Sequence, residues 1–232
     1  MTLNEPAEWD QYWNKTEGTR LTRFYKITAS FYRNRIIGPY LKHNLLTEFS
    51  GNSEVNLMHA GCGGGEVDLY VPKGFRVIGL DFSSEALTSY SNLHPNSITV
   101  LGDILKLSEL GIRERFDGIY NLGVMEHFSR DENIRIFNGF NKLLKPDGRI
   151  ILFWPPSFGL STIFLDSLHL AMKLIQGSKF RALVPNEPNR YKRSKSLKRD
   201  LETCGFKLIR STFTYRDLFT FVTVVAVKNA EL

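Results

Sequence analysis

Val55-Asn56-Leu57-Met58-His59-Ala60 runs without a break into Gly61-Cys62-Gly63-Gly64-Gly65. The first six residues form a short apolar run with the length of a buried strand. The glycines that follow allow a tight turn and let backbone approach a ligand with no Cβ in the way. A glycine-rich turn leaving a first strand is where doubly wound sheets bind nucleotides. Working outward, short apolar runs recur at 76–80, 97–101, 116–122 and 149–154, and helical patterns at 84–92 and 132–144 fill gaps between them. Strands spaced by helices make βαβ units and a mostly parallel α/β sheet. Lys145-Pro146-Asp147-Gly148 reads as the turn into the fifth strand. Two further runs, 206–212 and 221–227, suit an antiparallel hairpin at the edge of the sheet.

Two acids give the glycine loop its chemistry. Asp81 ends the second run, Arg76-Val77-Ile78-Gly79-Leu80-Asp81, twenty residues after Gly61. An acid there can accept both hydroxyls of a ribose. Asp103 follows the third run in Leu101-Gly102-Asp103-Ile104 and can accept from an adenine amino group. A dinucleotide fingerprint would require glycine at position 66, where this chain has Glu66, and a carboxylate there opposes a pyrophosphate. The pattern therefore points to an adenosine-bearing ligand without phosphates.

The order of elements and these motifs resemble the class I S-adenosylmethionine-dependent methyltransferases, in a small-molecule branch. The resemblance covers about residues 54–154 and extends by pattern to the final hairpin. It implies a Rossmann-like, doubly wound seven-stranded sheet, mostly parallel with an antiparallel last strand and helices on both faces. It also implies S-adenosylmethionine as cofactor and S-adenosylhomocysteine as product. On this likeness Ala60, Gly61, Cys62 and Gly63 lie against the methionine part. Asp81 holds the ribose, Gly102 and Asp103 meet the adenine, and Phe82 and Ile104 sandwich its ring. Asn121, Leu122 and Gly123, after the fourth strand, face the sulfonium side. Where the family usually carries Asp or Glu to engage the cofactor's amino group, this chain has His59, which can accept a bond when neutral.

The stretch Asn121-Leu122-Gly123-Val124-Met125-Glu126-His127-Phe128 resembles two branches of the family, the ubiquinone-pathway O-methyltransferases and the cyclopropane fatty-acid synthases. It makes His127 and Glu126 the candidate catalytic pair, with His127 beside the cofactor and Glu126 orienting it or fixing a helix. Gly123 stands where the first branch has a further acid, so no metal site is expected. Trp9, Tyr12 and Trp13 share one face of a short helix. In several small-molecule methyltransferases such a helix closes over the cofactor, and Trp13 is placed against the sulfonium, which aromatic faces attract.

Composition sets the outer bounds. The chain has 232 residues, 42% hydrophobic and 23% charged, with two cysteines, Cys62 and Cys204. That is ordinary globular composition. Two distant cysteines make neither a disulfide framework nor a cysteine zinc site, so a reduced, cytoplasmic setting is expected. No secretory signal and no membrane span are read, since 158–175 carries Asp166, His169 and Lys173 and is short for a span.

The net charge of +6 is unevenly placed. Residues 151–232 hold 13 Lys and Arg against 6 Asp and Glu. Such a basic half attracts a phosphorylated or acidic substrate, nucleic acid or a lipid surface, or is simply a solvated face. Residues 1–53 are expected to form an N-terminal helical cap, with Gly38-Pro39 breaking its helices. Residues 54–232 form the methyltransferase domain, with a lid insertion at about 155–195. The apolar start of the lid and its basic end at 179–199 suit a small-molecule acceptor that is apolar with an acidic group. The alternatives are an RNA methyltransferase using 179–199 and a non-catalytic S-adenosylmethionine-binding protein; nucleic acid is the less favoured partner. The chain is expected as a monomer or homodimer.

Overall fold

In the computed structural model, residues 28–52, 54–176, 187, 189–192 and 194–229 are described. Seven strands form one sheet: β1 (Val55–Ala60), β2 (Phe75–Asp81), β3 (Ile98–Leu101), β4 (Phe116–Leu122), β5 (Leu144–Trp154), β6 (Phe206–Phe213) and β7 (Val222–Lys228). Their spatial order is β3-β2-β1-β4-β5-β7-β6. β1 to β5 pair in parallel, and β7 runs antiparallel between β5 and β6. The expected hairpin is present, but of its two strands β6 lies at the edge and β7 is interior. The strand order reverses direction between β1 and β4, which opens a crevice at their C-terminal ends.

Among the described residues, helices that cover the sheet include α1 (Gly38–Glu48), α2 (Ser84–Leu93), α3 (Arg130–Leu143), α4 (Leu160–Gln176) and α5 (Ser194–Thr203). α3 begins with a reciprocal cap, Ser129 and Glu132 each bonding the other's backbone. Its Ile136, Phe137 and Phe140 pack with Met58, Ile119 and Ile150 in the larger core. On the other face α1 buries Tyr40, Leu41 and Leu45 against Leu57, Tyr120, Ile151 and Phe153. Alternate residues of the central strands thus feed two apolar layers.

Two local expectations change. Gly38-Pro39 does not break the helix. A π-helical turn at Arg33–Ile37 precedes α1, and the Gly38 N–H bonds back to the Arg33 carbonyl. The wider turn carries the chain past the donor that Pro39 lacks. Gly38 itself is required by packing, since a Cβ there would meet the Tyr70 ring. Lys145–Gly148 is not a clean turn outside the sheet. It bulges within β5, with Phe116 opposite Leu144 and Gly118 opposite Arg149, and Asp147 takes a positive φ of 59°.

Gly118 lies where α1's end meets β4. A Cβ would come within 2.5 Å of Phe49 Cζ and 2.9 Å of Leu57 Cδ2. Gly118→Ala is expected to destabilise the protein by about 1–3 kcal/mol through overpacking. Urea unfolding checks this, and ligand affinity at the distant crevice should be unchanged. Among the described residues no helix is long and apolar enough to cross a membrane.

Candidate functional site

The crevice at the ends of β1, β2 and β4 is a cavity of about 910 Å³. Its floor is the glycine loop. The Gly61 and Cys62 N–H groups both bond the Leu80 carbonyl, at 2.7 and 3.0 Å, folding the loop across the end of β2. Gly61 has a φ of 75°, and a Cβ would meet Val124 Cγ2 at 2.7 Å. A side chain there would strain the turn and crowd the cavity mouth. Cys62 is buried, and burial pushes its thiol well up, so it stays neutral filler.

Asp81 ties the loop to α2. Its carboxylate accepts from the Gly63 N–H at 2.9 Å and the Ser83 N–H at 3.0 Å. Burial pushes this carboxyl up, and the two N–H groups pull it only partly back. The cap of α2 is Ser83, whose hydroxyl accepts from the Ala86 N–H, so Asp81 is not consumed as a helix cap. Asp103 does double duty, accepting from the Leu105 N–H at 2.9 Å at the head of a short 3-10 turn while lining the cavity. Phe82 and Ile104 line the cavity beside them.

Beneath the loop lies a network that the sequence alone did not reveal. The His59 Nδ1–H donates to Asp68 Oδ2 at 2.9 Å. The Tyr90 hydroxyl donates to the same oxygen at 2.8 Å, and the Tyr120 hydroxyl to Oδ1 at 2.7 Å. The Tyr120 ring also stacks on the imidazole, centroids 4.5 Å apart. Burial alone would raise the Asp68 carboxyl, but the interaction with His59 and the hydrogen bonds of the two hydroxyls outweigh it and hold it low. An ionised Asp68 fixes the proton of His59 on Nδ1. The other ring nitrogen is then left for the cavity that His59 lines.

The structure gathers most of the expected site. His59, Gly61, Cys62, Gly63, Asp81 and Phe82 line the cavity, as do Asp103, Ile104, Leu122, Gly123, Glu126 and His127. Ala60 is fully buried under the loop. Gly102 is set by packing, since a Cβ would meet Leu110 at 2.5 Å. Asn121 does not line the cavity. It is fully buried, and its side-chain amide meets no protein partner among the described residues. Trp13 lies outside the described residues, with Trp9 and Tyr12.

Glu126 and His127 sit on a 3-10 turn, Met125–His127. His127 Nε2 is 3.9 Å from Glu126 Oε1, too long for a hydrogen bond, so Glu126 does not orient the ring by one. Glu126 is buried, its Oε2 meets no partner among the described residues, and burial pushes its carboxyl well above the usual range, which favours the neutral form. The outer wall comes from segments with no motif: Phe31, Tyr32 and Ile37 before α1, Phe164 of α4, and Leu218 and Phe221 of the β6–β7 turn. The Tyr32 hydroxyl, hydrogen-bonded to the Asp217 carbonyl at 2.6 Å and to the Thr220 hydroxyl, joins two of these segments.

The charges on the wall are mostly negative in a basic protein. Glu66, Asp81, Asp103 and Glu187 face one arginine, Arg33, which Glu66 engages at 2.7 Å. Among the described residues no group of acids, histidines and cysteines is arranged to hold a metal ion.

A family described as methyltransferase domain matches residues 58–152. No curated protein matches the chain. Among solved structures, magnesium protoporphyrin IX methyltransferase from Synechocystis PCC 6803 with bound SAH aligns at a TM-score of 0.60 and 15% identity, over 95% of this chain and 93% of that one. An S-adenosylmethionine-dependent methyltransferase from Clostridium acetobutylicum aligns at 0.62 and 12% identity, over 91% and 100%. One from Methanosarcina mazei aligns at 0.56 and 17%, over 81% and 98%. At these identities the structures testify to the fold, and the family match supplies the domain. Residues 58–152 thus match the methyltransferase-domain family, and the seven-stranded fold is similar to that of solved S-adenosylmethionine-dependent methyltransferases.

Proposed function

We propose that the protein transfers a methyl group from S-adenosylmethionine to an apolar small-molecule acceptor. The observation that carries this is the cavity, which joins the glycine loop and its two acids to a second, apolar end. Its 910 Å³ is near the top of the roughly 300–1,000 Å³ usual for small-molecule sites, which leaves space beyond one ligand. A cationic cofactor suits a wall where Glu66, Asp81, Asp103 and Glu187 outnumber one engaged arginine.

In this reading Asp81 takes the ribose hydroxyls, Asp103 the adenine amine, and Phe82 and Ile104 the ring faces. His59, held by Asp68, presents its free nitrogen to the amino-acid end, doing through an imidazole what a carboxylate does elsewhere in the family. The cofactor supplies a methyl group on a positively charged sulfur, already an electrophile. The protein's own work is alignment and exclusion of water, with the walls from 28–37, α4 and the β6–β7 turn closing the site. The first two of these segments belong to the stretches read from the sequence as an N-terminal cap, 1–53, and a lid, about 155–195.

Glu126, its neutral form favoured by burial, donates a hydrogen bond to the acceptor's polar group, and His127, beside it on the same turn, is the candidate base. The wall offers no unengaged cation among the described residues, which favours a neutral polar group over the acidic one expected from composition. The name of the Synechocystis relative fits an apolar acceptor. The RNA reading is weaker. Arg190, within the basic 179–199 segment, is committed to Asp166 and Glu187 at 2.6 and 2.7 Å, latching α4 to the segment after it. The buried free thiols Cys62 and Cys204 fit a cytoplasmic enzyme.

Calorimetric titration with S-adenosylmethionine and S-adenosylhomocysteine, with NAD as control, tests the reading. Micromolar binding of the adenosyl pair and none of NAD is expected. Absence of adenosyl binding would remove the proposal.

A further inference from the structure

The cavity does not open onto an ordinary polar surface. Two of its lining residues, Phe31 and Phe164, are 63% and 67% exposed, and Leu218 is 52% exposed. From Leu218 the apolar rim continues through Phe219, whose ring lies 5.2 Å from Phe213, which in turn meets Phe158 at 5.3 Å. Leu218 and Phe219 are held at φ values of 53° and 55°. Bulky residues rarely adopt that conformation, and the fold maintains it twice in a row.

The same surface continues along α4. Its buried side includes Thr162 and Met172, yet Ile163, Leu170, Ala171 and Leu174 are exposed on its outward side, with Asp166, Ser167 and Lys173 among them. Leu170 is 61% and Leu174 79% exposed. Contiguous exposed apolar area of this kind marks an interaction surface.

Cations stand among these residues. Arg35 lies over the Phe31 ring at 5.8 Å. Exposed Arg216 sits between Tyr215 and the Leu218–Phe219 pair, and exposed Lys173 precedes Leu174. The acid on the helix, Asp166, is engaged by Arg190.

We propose that this face docks on an anionic lipid bilayer, with α4 lying in the interface and the cavity mouth opening toward the lipid. Apolar side chains would enter the acyl boundary while the neighbouring cations meet lipid phosphates. A second copy of the chain suits the face less well. A twofold contact centred on it would bring Arg35, Lys173 and Arg216 toward their own copies. The docking stands independently of the chemistry. That the acceptor is drawn directly from the bilayer rests on the methyl transfer proposed above.

Flotation of the full chain with vesicles tests this. Vesicles of phosphatidylcholine mixed with phosphatidylglycerol are compared with phosphatidylcholine alone, at low and at raised salt. Partition onto the anionic vesicles is expected, reduced on neutral ones and reduced by salt. Leu170→Asn with Leu174→Asn, both on exposed positions away from the cavity, should lower partition about tenfold or more. Affinity for S-adenosylhomocysteine should be unchanged in that variant, and this same titration judges the methyltransferase reading separately. Arg35→Ser with Arg216→Ser should remove the preference for anionic lipid. Equal partition of parent and leucine variant would overturn the proposal. So would a dimer in sedimentation equilibrium that the leucine variant dissolves, which would make a second copy the occupant.

Discussion

Asp68→Ala is expected to destabilise the protein by about 3–5 kcal/mol, as loss of one partner from a buried charged network does. The carboxylate accepts from three groups, His59 and the hydroxyls of Tyr90 and Tyr120, all buried. Alanine would leave three polar groups without their acceptor in an apolar setting. Asp68→Asn keeps the shape and one accepting oxygen, so a smaller loss of about 2 kcal/mol is expected. Urea unfolding measures both.

The pH dependence identifies the cause. The folded Asp68 is held below its ordinary range, so its contribution is present above the unfolded carboxylate value of about 3.9. It is lost as pH falls through the folded value. The gap between parent and Asp68→Asn should therefore be full at neutral pH and close in acid. Burial beside Asp68 raises both Tyr90 and Tyr120, which adds a loss of parental stability above about pH 10, where unfolded tyrosines ionise. A gap that stays constant into acid would mean that Asp68 acts by packing alone. Asp68→Asn should also weaken S-adenosylhomocysteine binding, because asparagine no longer fixes the proton of His59 on Nδ1.

The elements that the sequence disclosed are those in which one local pattern suffices. β1 and β4 fall at 55–60 and 116–122 as expected, because a continuous apolar run between polar boundaries has only one place to be buried. The glycine loop and its two acids were legible for a similar reason, since they stand at fixed offsets from strand ends. Asp68 was not. Its partners come from 9, 22 and 52 residues away, and nothing local marks a short 3-10 turn as the place where they meet. His59 looked like a substitution for an acid; in the fold, an acid stands directly behind it. The cavity's outer wall was legible only in part: the apolar start of the lid, with Phe164, was read as suiting an acceptor, whereas Phe31 and Leu218 join it only once the chain brings them to one rim. The basic segment misled in the other direction. Arg190 was counted as a cation for a partner, whereas it is spent within the chain on Asp166 and Glu187.

Asp81→Ala should lower affinity for S-adenosylhomocysteine by about 1–3 kcal/mol, roughly 5- to 150-fold. The size follows from two losses at one atom pair. In the free protein the carboxylate holds the Gly63 N–H and the Ser83 N–H. Its remaining accepting capacity is what a ribose would use. Alanine removes both, so the loop loses an anchor and the ligand loses its acceptor. Ser83→Ala separates these effects. It deletes the cap of α2 at about 1 kcal/mol of stability but leaves the Asp81 carboxylate in place. Its ligand affinity should stay near the parent's. Acid should act like the mutation. Burial raises the Asp81 carboxyl, so protonation, and with it loss of an accepting oxygen, begins at a higher pH than for an exposed aspartate. Affinity should fall on the acid side in the parent and fall less in Asp81→Ala. If Asp81→Ala binds as tightly as the parent, the ribose is held elsewhere and the placement of the cofactor along the ends of β1 and β2 is wrong. If Ser83→Ala loses as much affinity as Asp81→Ala, the carboxylate serves the loop and not the ligand.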